Sequence, residues 1–491
     1  MVDERRYALA PLDRNGVLLG LGWSEVVIVA IGGVMTSFVL MNGAPFFAGA
    51  LPLLAAAAFV KVKFRGLGLI EWVRPVLRLV TQRNKVVWST SEPWKGNSGE
   101  SPSVLAGLVV SSEHMPGQKE WAVVWDKARD EATSMLRVSG SDFALLAADQ
   151  QAILLDGWGN VLSTHATEGS PVTRVCWTEL ANRTSLRHHL DWVADQGSDV
   201  DAKHRQNYVK LVSSVGTETT RHDVVVSVTV SGRKLRSSKW GQSGKSERDR
   251  LLDALQRALH QTSRTLEAAE LAVSGVLSPE DVRELVRSCV DPTSAQEIAP
   301  RVGSMAERLG LVGSDRMGPR ETTWEAAYFE TDRCFHRSYL VADWPRWSVP
   351  GDWMTHLLAR PETSRRMTLI FEPTSPSVSH RRIERELVKL DGDANMRAEK
   401  GRRITAGLRR SQVAVHEREE ELVSGFAETK FAGLVTISAP SLEELGLSTD
   451  EFESAALASG LTLRPLDFQH DLGWAASMPL GLGLASEGVW E

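Results

Sequence analysis

The hydrophobic pattern is most extreme near the start of the chain. Between Glu25 and Lys61 no position is charged, and the run VVIVAIGGVMTSFVLMNGAPFFAGALPLLAAAAFV has no polar helical face. It exceeds the roughly 20 residues that cross a ~30 Å hydrocarbon core once. Asn42, Gly43, Ala44 and Pro45 interrupt it near its middle, so the pattern predicts a helical hairpin turning at those four residues. The arms, 26–41 and 46–60, are short for spans, which implies thinning of the bilayer or extension of the first arm toward Leu18. Gly32, Gly33, Ala48, Gly49 and Ala55 to Ala58 are small enough to let two helices approach closely. A cleaved signal peptide would lack the second apolar arm, and an interfacial helix would show a polar face. A buried hairpin in a soluble core rarely needs so long a charge-free run. The expectation is therefore a transmembrane hairpin. Arg5, Arg6 and Arg14 precede it and Lys61, Lys63, Arg65, Arg74 and Arg78 follow, which predicts both termini on the cytoplasmic side of a multi-pass inner-membrane protein.

After the hairpin the periodicity becomes that of a folded body. Leu69, Ile70, Val73, Val76, Leu77 and Val80 recur with a helical period, predicting a helix along a membrane surface or against the body. Residues 89–103 are rich in Ser, Gly and Pro and read as a linker. Strands are predicted at Trp121–Trp125, Met135–Val138, Val172–Thr178 and Val224–Val230. Helices are predicted at 142–162, 185–193, 201–215 and 246–272. Beyond an aperiodic stretch come strands near 323–331, 337–342 and 366–371, charged helices over 379–421, and a strand at 433–438. A helix capped by Ser441 with Glu444 three residues on, and a strand at 461–465, complete the pattern. The organisation read from this is an N-terminal segment (1–25), the hairpin (26–60), a juxtamembrane helix and linker (61–103), a first α+β domain (104–295), a connecting loop (296–320) and a second α+β domain (321–491). The fold class is α+β: a transmembrane helical hairpin followed by a cytoplasmic mixed body with antiparallel sheets. No short-period repeat stands out.

Composition narrows the function classes. The 491 residues carry a net charge of -6, with 42% hydrophobic and 24% charged positions, so the chain folds and is not built to wrap nucleic acid. Cys176, Cys289 and Cys334 are too scattered for a disulfide framework or a local zinc site and read as buried thiols in a reducing compartment.

Several motifs imitate catalytic ones. Gly244-Lys245-Ser246 ends like a phosphate loop, but position 239 is Lys where that loop needs glycine. Ile153-Leu154-Leu155-Asp156 and Leu369-Ile370-Phe371-Glu372 resemble a magnesium-binding strand end but have no phosphate loop to serve. His188 and His189 lie about 100° apart on a helix, His416-Glu417 lacks a second histidine, and no Gly-x-Ser-x-Gly elbow occurs. No cofactor, metal site or enzymatic activity is expected. Arg381, Arg382, Arg385, Lys389, Arg402, Arg403, Arg409 and Arg410 form a candidate basic surface on the charged helices, suited to phosphate or anionic lipid or to simple solvation. No aromatic residue interleaves them between Arg381 and Arg410, and direct nucleic-acid contact is not expected.

Tyr7-Ala8-Leu9-Ala10-Pro11-Leu12, then Gly16-Val17-Leu18-Leu19-Gly20-Leu21 and the hairpin, resemble the small PrgI-like inner-membrane component of type IV secretion and conjugation machines. The C-terminal third resembles the segment that precedes the motor domain of conjugation ATPases. That likeness rests on Met367 to Phe371, the charged helices, Gly433 to Ala439, Ser441 to Leu445, and Met478-Pro479-Leu480-Gly481. In that family the last element leads into the ATP-binding domain, which is not expected here. The resemblance implies a structural component of a conjugative or type IV-like apparatus, anchored in membrane lipid, oligomeric when assembled and in contact with other channel subunits. A separate motor ATPase would dock near Pro479, Leu480 and Gly481. The alternatives are a membrane subunit of a type VII system, or a membrane-tethered enzyme with an unrecognised site.

Overall fold

The computed structural model describes residues 23–87, 105–185, 202–292 and 318–483, with short interruptions inside each stretch. Helices α1 (Trp23–Met41) and α2 (Phe46–Lys61) pack antiparallel. Asn42, Gly43 and Pro45 lie between them, and Ala44 falls outside the described residues. Gly43 has φ +81°, which glycine adopts without steric cost. The helices touch backbone to backbone: a Cβ on Gly32 would stand 2.6 Å from that of Ala56.

The expected transmembrane span is overturned. Among the described residues no helix is long and apolar enough to cross a membrane. The uncharged part of each arm rises only about 24 Å against a ~30 Å core, and Pro52 interrupts the hydrogen bonding inside α2. The same finding overturns the expected multi-pass inner-membrane location.

A short ribbon, β1 (Lys63–Phe64) with β2 (Leu67–Gly68), leads into α3 (Leu69–Thr81) and β3 (Lys85–Val87). The body then runs through β4 (Leu108–Glu113), β5 (Trp121–Asp126), β6 (Glu131–Ser139), α4 (Ala148–His165), β7 (Val172–Ser185), α5 (Ala202–Val215), β8 (Glu218–Ser231), α6 (Gly232–Ser237), α7 (Glu247–Ala268), β9 (Ala272–Val276) and α8 (Pro279–Val290). Its remainder comprises β10 (Glu321–Trp324), β11 (Phe329–Thr331), β12 (Cys334–Asp343), α9 (Thr355–Leu358), β13 (Ser364–Pro373), α10 (Pro376–Glu399), α11 (Ala406–Val423), β14 (Thr429–Ala439), α12 (Leu442–Ala458), β15 (Thr462–Pro465) and α13 (His470–Ala476). The two expected α+β regions share one 13-stranded sheet, in which β3-β10-β11-β12-β14-β13-β7-β8-β6-β5-β4 pair in that order, β9 adds to β6 and β15 adds to β12. Every pairing is antiparallel.

That strand order reads the same outward in both directions from the β7–β13 pair. β7, β8, β6, β5 and β4 on one side answer β13, β14, β12, β11 and β10 on the other, and β9 answers β15. The registers agree residue by residue. Thr178 and Thr368 face each other on the pseudo-two-fold axis. Val225 pairs with Thr178, as Leu434 pairs with Thr368. Thr133 pairs with Thr229, as His336 pairs with Ser438. Both peripheral strands slip register on joining, and the residue after each returns the same bond: Leu277 N donates to Met135 O, and Leu466 N to Ser338 O, each at 2.9 Å. The body is a duplicated unit. Its two hairpin insertions, one containing α5 and the other α10 and α11, occupy equivalent positions.

Alternation decides which helices cover each face. On one face Val226, Val228 and Val230 pack under α7, and Val435, Ile437 and Ala439 under α12. On the other face α8 and α13 share one core with residues from both ends of the strand order, including Leu108, Val124, Trp324 and Phe329. The sheet therefore curls around these two helices.

Candidate functional site

The face that holds α8 and α13 is unusually polar for a core. β14 offers Leu434, Thr436 and Ser438 where β8 offers Val225, Ser227 and Thr229, so both copies of this strand alternate hydroxyls with aliphatics. These hydroxyls serve the segment after α13. Arg366 donates from Nε to Ser477 Oγ at 3.0 Å and from Nη2 to Trp474 O at 2.8 Å. Thr368 donates to Ser477 O at 2.6 Å, and Thr436 hydrogen-bonds Ser477 Oγ at 2.8 Å. The chain then crosses the pseudo-two-fold into the first repeat. There Arg174 donates to Gly481 O at 3.1 Å while ion-pairing with Glu131, and Arg129 donates to Leu482 O. Residues 477–483 thus form a strap that ties one repeat to the other and satisfies carbonyls that have no strand partner.

Pro479, Leu480 and Gly481, the expected motor-docking residues, are buried inside this strap. Gly481 has φ +75°, and a Cβ there would stand 2.5 Å from Thr229 Oγ1 and 2.7 Å from Thr133 Cγ2. Leu480 forms a core contact of the chain itself.

The N-terminal hairpin is fastened to the root of the strap. Arg78 on α3 donates from Nη2 to Asp471 Oδ2 at 2.8 Å, and Trp72 packs edge-on against Phe468 with ring centroids 5.8 Å apart. Burial pushes the Asp471 carboxyl above its usual range, and the guanidinium of Arg78 opposes that shift. Next to it His470 accepts the Ser338 N–H through Nδ1 at 3.1 Å, and burial holds its pKa down.

Two further buried polar groups have clear structural assignments. His336 lies between Thr331 Oγ1 (2.6 Å from Nε2) and Ser438 Oγ (2.8 Å from Nδ1). Thr331 spends its single proton on Val290 O at 2.6 Å. Nε2 must therefore carry the ring proton and Nδ1 must accept from Ser438. Burial lowers the pKa of this imidazole to about 3. On the opposite sheet face, at the β7–β13 seam, Arg365 donates to Glu179 Oε1 at 3.2 Å and to Leu358 O, and His222 Nδ1 meets the same carboxylate oxygen at 2.7 Å. The other oxygen, Oε2, is buried without a hydrogen-bond partner among the described residues. Burial lowers the Arg365 pKa, with the Glu179 carboxylate opposing the shift. This cluster presents a buried carboxylate oxygen to a polar group entering at the seam. Sequence reading missed it because its members come from three separated segments.

The candidate basic residues do not converge. Arg381, Arg385 and Lys389 follow one another on the exposed side of α10, with Arg382 beside them. Arg382 pairs with Glu428 at 3.3 Å, and Arg381 Nε donates to Ser377 O at 3.0 Å. Arg403 and Arg409 are exposed farther along, whereas Arg402 and the side chain of Arg410 lie outside the described residues. Helices α10 and α11 pack chiefly on each other as an arm, braced by Arg418 to Glu386 at 3.0 Å. Of the catalytic look-alikes, Asp156 belongs to helix α4, Glu372 lies near the end of β13, and Ser246 caps α7 by accepting from Asp249 N at 3.1 Å. Residues 238–245, His188 and His189 lie outside the described residues. No group of three or more His, Cys, Asp or Glu among the described residues could hold a metal ion. Comparison with protein-family models gives no match, and comparison with curated proteins gives none either.

Proposed function

We propose that the chain is a non-catalytic scaffold subunit of a conjugative or type IV-like secretion apparatus, holding a separate motor ATPase. The observation that carries this reading is the mechanical path through the molecule. An exposed apolar hairpin is joined by α3 and the Arg78–Asp471 ion pair to α13, and from α13 the strap crosses from one repeat into the other. A scaffold needs such a path, because a load applied at one partner must reach the other without unfolding what lies between. Buried ion pairs and hydrogen-bonded hydroxyls resist that load, since breaking one leaves a desolvated charge or dipole. The arm of α10 and α11 adds an exposed surface on which a partner can settle without disturbing the sheet. The order of sequence elements, hairpin first and Met478-Pro479-Leu480-Gly481 last, supports the same reading.

The test is purification of the tagged full chain from its native host, with identification of what accompanies it by mass spectrometry. Recovery of a conjugation-type motor, lost on Asp471→Ala while the sheet still unfolds cooperatively, is the expected result. A well-folded chain that emerges alone under mild salt, or with a type VII motor, overturns the proposal. Stoichiometric nucleotide binding by the purified chain overturns its non-catalytic part.

A further inference from the structure

The strap is rooted on an acid that the duplicated body does not neutralise. Asp471 stands in the first turn of α13, on the same short helix as Trp474, whose carbonyl Arg366 holds. Its side chain is only 3% exposed. Its neighbour His470 supplies no charge, because Nδ1 accepts the Ser338 N–H and burial keeps the ring neutral. The Leu472 N–H and the indole of Trp324 also face the carboxyl, and both are uncharged. Among the described residues the fixed cation that faces Asp471 is Arg78, with Nη2 at 2.8 Å from Oδ2 and Nη1 at 3.5 Å from Oδ1. Arg78 belongs to α3, which follows the hairpin through the β1–β2 ribbon.

A second contact at the same root has the same origin. Phe468 holds φ +64°, a left-handed conformation that side chains rarely adopt. Its N–H donates to Ala326 O at 2.8 Å, and its ring meets Trp72 of α3 edge-on. Backbone strain of this kind persists only where the surroundings over-determine it, and here α3 is one of those surroundings. Charge and strain at the root of the strap are therefore both relieved by the hairpin unit.

We propose that Asp471 couples the seating of the hairpin unit to the seating of the strap. While α3 is docked, Arg78 neutralises the acid, Trp72 holds Phe468, and α13 presents Trp474 and Ser477 to Arg366, Thr368 and Thr436. When α3 is drawn away, the same acid is left buried without a cation, and the root relieves it by carrying Asp471 toward water. α13 has only seven residues, so moving its first turn moves the carbonyl of Trp474 as well. The strap then lifts, while β7, β8, β13 and β14, paired over long registers, stay in place. The two sites are the position of α3 and the seat of residues 477–483, and the two states differ in whether one buried charge is paired. The inference goes beyond the secretion reading and does not depend on it, since every contact lies within the chain.

The measurement is hydrogen exchange of the full chain at constant pH, comparing residues 472–483 with the interiors of β13 and β14. Arg78→Met removes the cation and keeps an aliphatic stem. It is expected to speed exchange of 472–483 at least about tenfold and to leave β13 and β14 within about twofold of wild type. Asp471→Asn removes the charge that needs a cation, so adding Arg78→Met to it is expected to change strap exchange by less than about twofold. Trp72→Ala loosens α3 from its own side and leaves both charged groups in place; it is expected to speed the same strap amides about threefold or more. Unchanged exchange of 472–483 in Arg78→Met overturns the proposal, and so does acceleration spread evenly over β13 and β14, which marks general destabilisation. An Arg78→Met effect that keeps its full size on the Asp471→Asn chain overturns it too, because the coupling then bypasses this carboxylate. If Arg78→Met does not fold, Trp72→Ala decides on the same amides, and a strap that it leaves unchanged overturns the proposal.

Discussion

Gly481 is where the strap can be tested most sharply. Replacing it with alanine does two things at once. It forces an L-residue to hold φ +75°, which costs roughly 1–2 kcal/mol. It also drives a methyl group to 2.5 Å from Thr229 Oγ1 and 2.7 Å from Thr133 Cγ2. Those threonines hydrogen-bond each other at 2.8 Å between β6 and β8, both buried, so neither can swing away without losing its partner. Overpacking of this kind costs roughly 1–3 kcal/mol, and the two effects together amount to about 2–5 kcal/mol. The strap can lower that figure by lifting locally, in which case the loss is limited to the free energy of strap release. Urea unfolding followed by tryptophan fluorescence measures the global part, and hydrogen exchange of residues 477–483 measures the local part. The expected result is either a shift of the unfolding midpoint corresponding to at least about 2 kcal/mol or strongly accelerated exchange confined to the strap. Gly483→Ala serves as the comparison, since it also holds a positive φ, +61°, but its added Cβ meets the side chain of Arg174 and not the Thr133–Thr229 pair. A Gly481→Ala chain within about 0.5 kcal/mol of wild type, with unchanged exchange, would refute the view that the strap is part of the core.

Three other outcomes follow from the buried polar groups. Arg365→Ala leaves Glu179 buried without its guanidinium and should cost about 3–5 kcal/mol, while the double change Glu179→Leu with Arg365→Met should recover most of it; equal losses in single and double variants would contradict the pairing. His165 and His336 are held neutral by burial, with pKa values of about 4 and about 3 against 6.5 in the unfolded chain. Between those values the unfolded state binds more protons, so stability is full above pH 6.5 and falls as the pH drops toward 4. At pH 5 the loss is about 2 kcal/mol for each histidine, read from urea midpoints at pH 7 and 5, and His165→Gln should remove its share of the slope. Burial pushes the Cys176 thiol up to about 11 and those of Cys289 and Cys334 upward as well. At pH 8 a thiol-specific reagent should label none of them until denaturant is added, and rapid labelling of the native chain would show that their cover opens.

The local elements were legible in the sequence because they depend on neighbours in the chain. Val224 to Val230 alternates as a half-polar strand does, Asn42 to Pro45 breaks an apolar helix, and Ser441 caps α12 by accepting from Glu444 N at 3.2 Å. Asp142 to Leu162 was legible as a helix, although it begins only at Ala148, since its first turns are taken up by a 3₁₀ segment at Phe143–Leu145. The hairpin was legible as two apolar helices whose arms are short against a bilayer, and what failed was the inference that they span it. The duplication was hidden. Its two copies carry insertions of different length between equivalent strands, so equivalent residues keep no constant separation, and the shared signal is reduced to alternating hydroxyls such as Ser227 and Thr229 against Thr436 and Ser438. Only pairing across the β7–β13 seam lines those residues up. The same holds for the strap. Met478-Pro479-Leu480-Gly481 is read from the resemblance as an approach to a motor, and it becomes core because Arg366 and Thr368 hold the carbonyls of Trp474 and Ser477 just before it and Arg174 holds that of Gly481, all from more than a hundred residues upstream. Periodicity and turn chemistry are properties of adjacent residues and survive in one dimension, whereas register, burial and charge pairing depend on which distant segments meet.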